Sequence, residues 1–144
     1  MPKISVSTVI DRSADEVWAD VRNIASHVEW MADAYEIRFL SDRREGVGTR
    51  FECETRVGPL RTTDVMEITA WDPGRLMGVR HTGVVTGEGA FTLHPLPGGR
   101  TEFRWQEELR FPWWLGGRLG EQAGAPVLRL IWKRNLAKLR RRFQ

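Results

Sequence analysis

The chain has 144 residues, of which 41% are hydrophobic and 28% are charged; these values are typical of one globular domain and argue against disorder. No apolar run approaches the roughly 18 residues that a membrane-spanning helix requires, and residues 1–5 lack the apolar core of a secretory signal. The only cysteine, Cys53, excludes an internal disulfide and a multi-cysteine metal site. We therefore predict a single cytoplasmic domain over residues 1–144, without a metal ion or a cofactor.

The net charge of +3 is unevenly distributed, because residues 129–144 carry seven Lys or Arg and no acidic residue. A basic segment of this kind occurs in proteins that bind nucleic acid or anionic membranes. No aromatic residues alternate with the basic ones to stack on bases, so we predict no nucleic-acid partner. The simpler interpretation is a solvated helix face, with cations near the C-terminus where the helix dipole favours them.

The N-terminal segment reads as one strand followed by two short helices. Residues 4–11 alternate and are rich in β-branched side chains, which predicts a strand. Ser13 and Glu16 have the spacing of a capping box, and the apolar residues that follow predict a short helix. A second short helix is expected from Ala25 to Trp30 or Met31.

The middle of the chain, from Ala34 to Phe111, has the sequence pattern of strands joined by turns. Turn signals such as Gly58-Pro59 and Asp72-Pro73-Gly74 separate runs of alternating polarity. They predict six consecutive strands: Tyr35–Leu40, Thr49–Val57, Arg61–Trp71, Leu76–Thr82, Gly89–His94 and Thr101–Phe111.

The last stretch, from Pro126 to Phe143, has apolar residues at helical spacing and predicts a long amphipathic helix. Four glycines between Gly116 and Gly124 precede it, and each weakens a helix by about 1 kcal/mol against alanine, so we expect a mobile loop there. Trp113 and Trp114 in this loop either line a cavity mouth, rest on a membrane, or cap the core.

The predicted order is β-α-α-β6-α. Strands joined by short turns pair antiparallel, and seven such strands curl strongly. We therefore predict an α+β helix-grip fold: a seven-stranded curved antiparallel sheet wrapped around the C-terminal helix, as a monomer or a homodimer.

Several stretches in this order resemble the START-like (SRPBCC) superfamily, in particular its polyketide cyclase/dehydrase branch of small bacterial proteins. They are residues 10–18 (IDRSADEVW), 28–30 (VEW), 46–51 (GVGTRF), 71–76 (WDPGRL), 98–103 (GGRTEF) and 136–140 (LAKLR). The resemblance covers the whole chain. It implies a cavity between the sheet and the C-terminal helix that binds a hydrophobic, lipid-like or aromatic polyketide-like molecule.

The side chains expected on the inner faces would line that cavity. From the strands and the helix these are Phe51, Cys53, Met66, Ile68, Val79, His81, Phe91, Phe103, Trp105, Glu107, Leu128, Ile131, Trp132 and Asn135.

Among these residues the polar ones carry the chemistry. Glu107 is in register with the inward apolar residues of the last strand, and a carboxyl in an apolar pocket could serve as a general acid or base. The alternative is that it is solvated or paired with an arginine. Asn135 could bind a ligand carbonyl or hydroxyl, or could tie the helix to the backbone of a strand. Asp64 and His81 are weaker candidates, because a one-residue slip of a strand would turn either to solvent.

The remaining titratable residues add little. His27 lies in a loop-helix region, and His94 is predicted to face outward. No base is evident beside Cys53, so the sequence offers no support for nucleophilic catalysis.

Three functions remain open. The first, which we favour, is a non-catalytic carrier or sensor of a hydrophobic small molecule. The second is a cyclase or dehydratase that uses Glu107 as the acid/base, with Asn135 or Asp64 orienting the substrate. The third is a module that binds a membrane surface or a partner through Trp113, Trp114 and the basic helix.

Overall fold

The computed structural model describes residues 3–144 and has the predicted order of elements. In chain order these are β1 (Lys3–Ile10), α1 (Ala14–Val21), a 3₁₀ helix (Ile24–Glu29), β2 (Ala34–Phe39), β3 (Arg50–Val57), β4 (Leu60–Asp72), β5 (Leu76–Gly83), β6 (Thr86–Leu96), β7 (Arg100–Arg110), a second 3₁₀ helix (Trp113–Leu115) and α2 (Gly117–Arg141). The α+β helix-grip fold is confirmed.

The described strands form one seven-stranded sheet in the order β1-β7-β6-β5-β4-β3-β2. All neighbouring pairs are antiparallel, and β1 adds to the far side of β7, so that Ile4 lies opposite Glu107 and Val6 opposite Trp105. Helix α2 packs on the sheet, mainly against β1, and buries Trp132, Leu136 and Leu139.

The register brings inward residues of neighbouring strands into rows across the sheet. One row consists of Met77, Phe91 and Trp105, which are all buried. The next row toward the β7 C-terminus holds Val79, Gly89 and Glu107. This second row matters for the site because its middle member has no side chain.

The short helices close one end of the core. Ser13 caps α1, its Oγ accepting a hydrogen bond from the Glu16 backbone N at 3.3 Å, as the capping box predicts. The second predicted helix is the 3₁₀ helix, which buries Ile24 and His27.

Helix α2 begins at Gly117, nine positions before the start predicted at Pro126, so the expected loop over the glycines is wrong. Tertiary contacts hold this first part in place. The Glu121 carboxylate accepts a hydrogen bond from the Phe111 backbone N at 3.0 Å. A Cβ at Gly120 would lie 1.9 Å from the Leu115 carbonyl oxygen, so this glycine permits close backbone approach. Packing therefore outweighs the unfavourable helix propensity.

Candidate functional site

A cavity of about 170 Å³ lies between the concave face of the sheet and α2. Its lining includes most of the residues that the sequence placed there: Phe51, Cys53, Met66, Ile68, Val79, His81, Phe91, Trp105, Glu107, Leu128 and Trp132. The lining also reaches Leu60, Val85 and Leu115, which lie at the hairpin ends and before α2. Leu60, at the hairpin between β3 and β4, is 41% exposed and also belongs to the lining.

Aromatic side chains form one wall of the cavity and do not fill it. Trp105 of β7 stacks on Trp132 of α2 with a centroid distance of 4.5 Å and an interplanar angle of 13°. Phe91 packs edge-on against Trp105 at 5.4 Å. This wall offers flat apolar surface of the kind that packs well against another ring.

Glu107 and His81 meet across the strand that separates them. His81 is on β5 and Glu107 on β7, and the β6 residues opposite them are Gly87 and Gly89. A Cβ at Gly89 would lie 2.3 Å from Glu107 Cγ, so a larger residue could not share this space with the carboxylate. Through the resulting gap, His81 Nε2 forms a hydrogen bond with Glu107 Oε1. Both side chains are buried, at 8% and 5% exposure.

The environment favours a charged imidazole at this position. Burial alone lowers the pKa of His81, but the Glu107 carboxylate, and more weakly Asp64, raise it above its ordinary value. Asp64 lies on β4, and its Oδ1 accepts a hydrogen bond from the Val85 backbone N at 3.1 Å. Burial raises the pKa of Asp64, against the effect of that bond and of His81. The cavity wall thus holds a carboxyl–imidazole–carboxyl group.

Asn135 has a structural role, but it ties the helix to the loop before β2 and not to a strand backbone. Its Oδ1 accepts a hydrogen bond from the Ala32 backbone N at 2.9 Å, and its Nδ2 donates one to Asp33 Oδ1 at 2.8 Å. Trp132 Nε1 donates to Asp33 Oδ2 at 3.2 Å. Asn135 has 0% exposure and is outside the cavity lining, as are Phe103 and Ile131.

Comparison with known proteins agrees with the fold. The sequence matches the family described as "Polyketide cyclase / dehydrase and lipid transport" over residues 1–144. The chain belongs to this family. No curated protein matches the sequence.

Solved structures share the fold of this polyketide cyclase/dehydrase family member at low sequence identity. A protein from Thermus thermophilus is 17% identical, with 99% of this chain and 97% of that chain covered and a TM-score of 0.78. The Zhui aromatase/cyclase from a Streptomyces species is 15% identical, with 97% and 89% covered and a TM-score of 0.70. A START superfamily protein from Mycobacterium smegmatis is 13% identical, with 98% and 96% covered and a TM-score of 0.72.

Sequence reasoning missed three parts of this family member's site. Asp33 lines the cavity from a loop whose position no periodicity predicts. His27 also lines it, although its sequence context carried little weight; burial lowers its pKa to about 4, and its Nε2 donates to the Val21 carbonyl oxygen at 2.7 Å. The glycine gap had a signal, because Gly87 and Gly89 alternate in a strand, a position where glycine often marks close approach.

The lone thiol is not activated. Cys53 is buried on β3, and burial raises the pKa of its thiol to about 11, so it is protonated at neutral pH. His94 is exposed, as predicted. In residues 3–144, no three His, Cys, Asp or Glu side chains cluster in a way that could hold a metal ion.

Trp113 and Trp114 do not cap the core. Their exposures are 87% and 54%, and Leu119, Val127 and Leu130 on α2 are also at least half exposed. Val127 is one of the apolar residues from which the amphipathic helix was predicted, but it lies on the exposed side of α2. On a helical wheel of α2, Leu119, Val127 and Leu130 lie on the side opposite the buried Trp132 and Leu139. Over residues 3–144, no helix has the length and apolar character needed to cross a membrane.

Proposed function

We propose that this protein binds a hydrophobic small molecule, as a carrier or sensor, in the cavity between the sheet and α2. The observation that carries the proposal is the cavity itself: it is lined mostly by apolar side chains and has one aromatic wall. A mostly apolar cavity of about this volume can hold a molecule such as benzene. The proposed ligand is therefore compact, with about one or two rings.

The test combines detection of a natural ligand with a blocked cavity. Native mass spectrometry of the protein purified from cells looks for a co-purified apolar molecule, and benzyl alcohol is titrated in parallel by NMR. Val79→Trp should abolish both signals, because Val79 faces the cavity beside Gly89. Val47→Trp is the matched control, since Val47 is 54% exposed outside the cavity. Absence of any binding, or binding unaffected by Val79→Trp, would contradict the proposal.

A second candidate function is acid–base catalysis of a cyclisation or dehydration. The observation that favours it is the His81–Glu107 pair, because a charged, buried pair in a cavity wall can move a proton to or from a bound molecule. The comparison with an aromatase/cyclase of the same fold is consistent with such chemistry, although fold alone does not specify it.

Glu107→Gln separates the two candidates because it keeps the shape of the side chain and removes the ionisable carboxyl. With the molecule identified by mass spectrometry, an enzyme loses turnover of it at nearly unchanged affinity. A carrier converts nothing in the wild-type form and changes at most in affinity.

A further inference from the structure

The charged residues of the cavity wall are of one sign apart from His81. Asp33, Asp64 and Glu107 all belong to the lining, and among the described lining residues none is Lys or Arg. The only group among them that can be cationic near neutral pH is His81, and its Nε2 already bonds to Glu107. A ligand that enters this cavity therefore meets carboxyls with no free cation beside them.

From this arrangement we infer that the cavity selects uncharged or cationic ring compounds that donate hydrogen bonds, and rejects carboxylates and other organic anions. The inference rests on the proposed binding function and narrows its ligand class.

The exclusion of anions follows from desolvation. An anion loses its hydration on entering the apolar cavity, and such a loss is costly unless an opposite charge or several donors compensate it. Here the donors of Asn135 and Trp132 are directed at Asp33, and that of the Val85 backbone at Asp64. An incoming anion would compete for partners that the wall carboxyls already use, and would be repelled by those carboxyls.

The preference for donors follows from the chemistry of the same groups. A carboxylate only accepts hydrogen bonds and has about four lone-pair sites, so the bonds described above leave acceptor capacity. An amine, a phenol or an alcohol on a ring can use that capacity while the ring packs on Trp105. An ammonium group also gains from the faces of the stacked indoles.

The experiment compares three probes of nearly equal shape: benzyl alcohol, benzylamine and benzoate, titrated by NMR at neutral pH. We expect benzyl alcohol and benzylamine to bind and benzoate to bind at least about tenfold more weakly, since the penalty for an uncompensated buried charge exceeds that ratio. Benzoate binding as tightly as benzyl alcohol would overturn the inference and leave the binding function standing. Failure of all three probes would overturn both.

Substitutions assign the selectivity to the wall carboxyls. Asp64→Asn keeps an oxygen for the Val85 backbone N and removes a carboxyl. It should therefore reduce the difference in affinity between benzoate and benzyl alcohol. Glu102→Gln is the control, because Glu102 is on β7 but pairs with Arg104 outside the cavity. If both variants showed the same ratio of benzyl alcohol affinity to benzoate affinity, the result would count against the inference. The comparison of the three probes on the wild-type protein remains a test even if a variant misfolds.

A second, independent observation concerns exposed apolar side chains of the second 3₁₀ helix and α2. We define the apolar outer surface as Trp113, Trp114, Leu119, Val127 and Leu130, all at least half exposed. Three of them lie on α2 within about 80° of one another on a helical wheel. From Pro112 to Gln144 the only acidic residue is Glu121, which is buried and bonded to the Phe111 backbone N. The cations of the same segment, such as Arg118, Lys133 and Arg134, therefore face few acids on their own helix.

We propose that this surface docks on an anionic lipid bilayer. Exposed tryptophan and leucine beside cations are the composition of segments that lie in a membrane interface. A second copy of the chain fits less well, because a symmetric pairing through this face would bring like charges together.

The test measures co-sedimentation with phosphatidylcholine vesicles, with and without phosphatidylglycerol. We expect binding that requires phosphatidylglycerol, weakens in high salt and falls about tenfold in Trp113→Ala/Trp114→Ala, because two interfacial anchors are lost. The control Leu40→Ala/Val47→Ala removes side chains of 45% and 54% exposure elsewhere and should change nothing. No sedimentation, equal loss in both variants, or dimerisation abolished by the tryptophan substitutions would overturn this proposal.

Discussion

Replacing His81 and Glu107 by leucine, singly and together, measures what the buried pair contributes to stability. His81→Leu leaves the Glu107 carboxylate buried at 5% exposure without its partner, which should cost about 3–5 kcal/mol. Glu107→Leu should cost less, about 1–3 kcal/mol, because His81 can lose its proton and is then left with one unmade hydrogen bond. The double variant fills the gap over Gly89 with apolar side chains. Its free energy of unfolding should lie within about 1 kcal/mol of the wild-type value, or above it.

The assay is urea unfolding followed by tryptophan fluorescence, with Trp105 and Trp132 in the same wall as reporters. The control is Glu102→Gln, which breaks a partly exposed ion pair on the same strand and should cost no more than about 1 kcal/mol. The reasoning is refuted if the two single costs add in the double variant, or if Glu107→Leu costs more than His81→Leu. A neutral double variant would mean that the pair is not needed for stability.

Three further predictions follow from other parts of the structure. Asn135→Ala removes two bonds to the loop before β2 and should lower the free energy of unfolding by about 2–4 kcal/mol, while NMR titration should show that the folded variant still binds benzyl alcohol. Burial lowers the pKa of His27 to about 4, below its unfolded value, so unfolded chains take up the proton first and stability should fall by up to about 3 kcal/mol from pH 6.5 to pH 4. His27→Gln should flatten that part of the stability–pH curve, and an unchanged slope would contradict the assignment. Gly89→Ala should cost about 1–3 kcal/mol in urea unfolding, and less in a Glu107→Ala background where the colliding side chain is gone.

The fold could be predicted because local signals agreed along most of the chain. The alternation of β7 predicted an inward Glu107, and the structure confirms that orientation. Its partner could not be predicted, since the meeting with His81 depends on the register of two hairpins and on glycine in the strand between them.

The errors have a shared physical origin. The start of α2 was placed at Pro126 because propensity was the only guide, whereas Glu121 and the close approach at Gly120 stabilise the earlier turns. Asn135 was correctly placed on the buried face, but its partner Asp33 lies in a loop. Periodicity predicts which side chains of a helix or strand are buried, but it does not predict the positions of side chains in a loop.

The position of β1 has a consequence for how the protein is made. Among the strands of the described sheet, β1 leaves the ribosome first, yet its only partner there is β7, which is synthesised after the other strands. Until β7 emerges, β1 has no partner for its backbone hydrogen bonds, and contacts between such distant segments form slowly. α2, which also packs on β1, emerges later still. We therefore expect β1 and α2 to join an already folded β2–β6 meander, so that the cavity closes in the final step of folding.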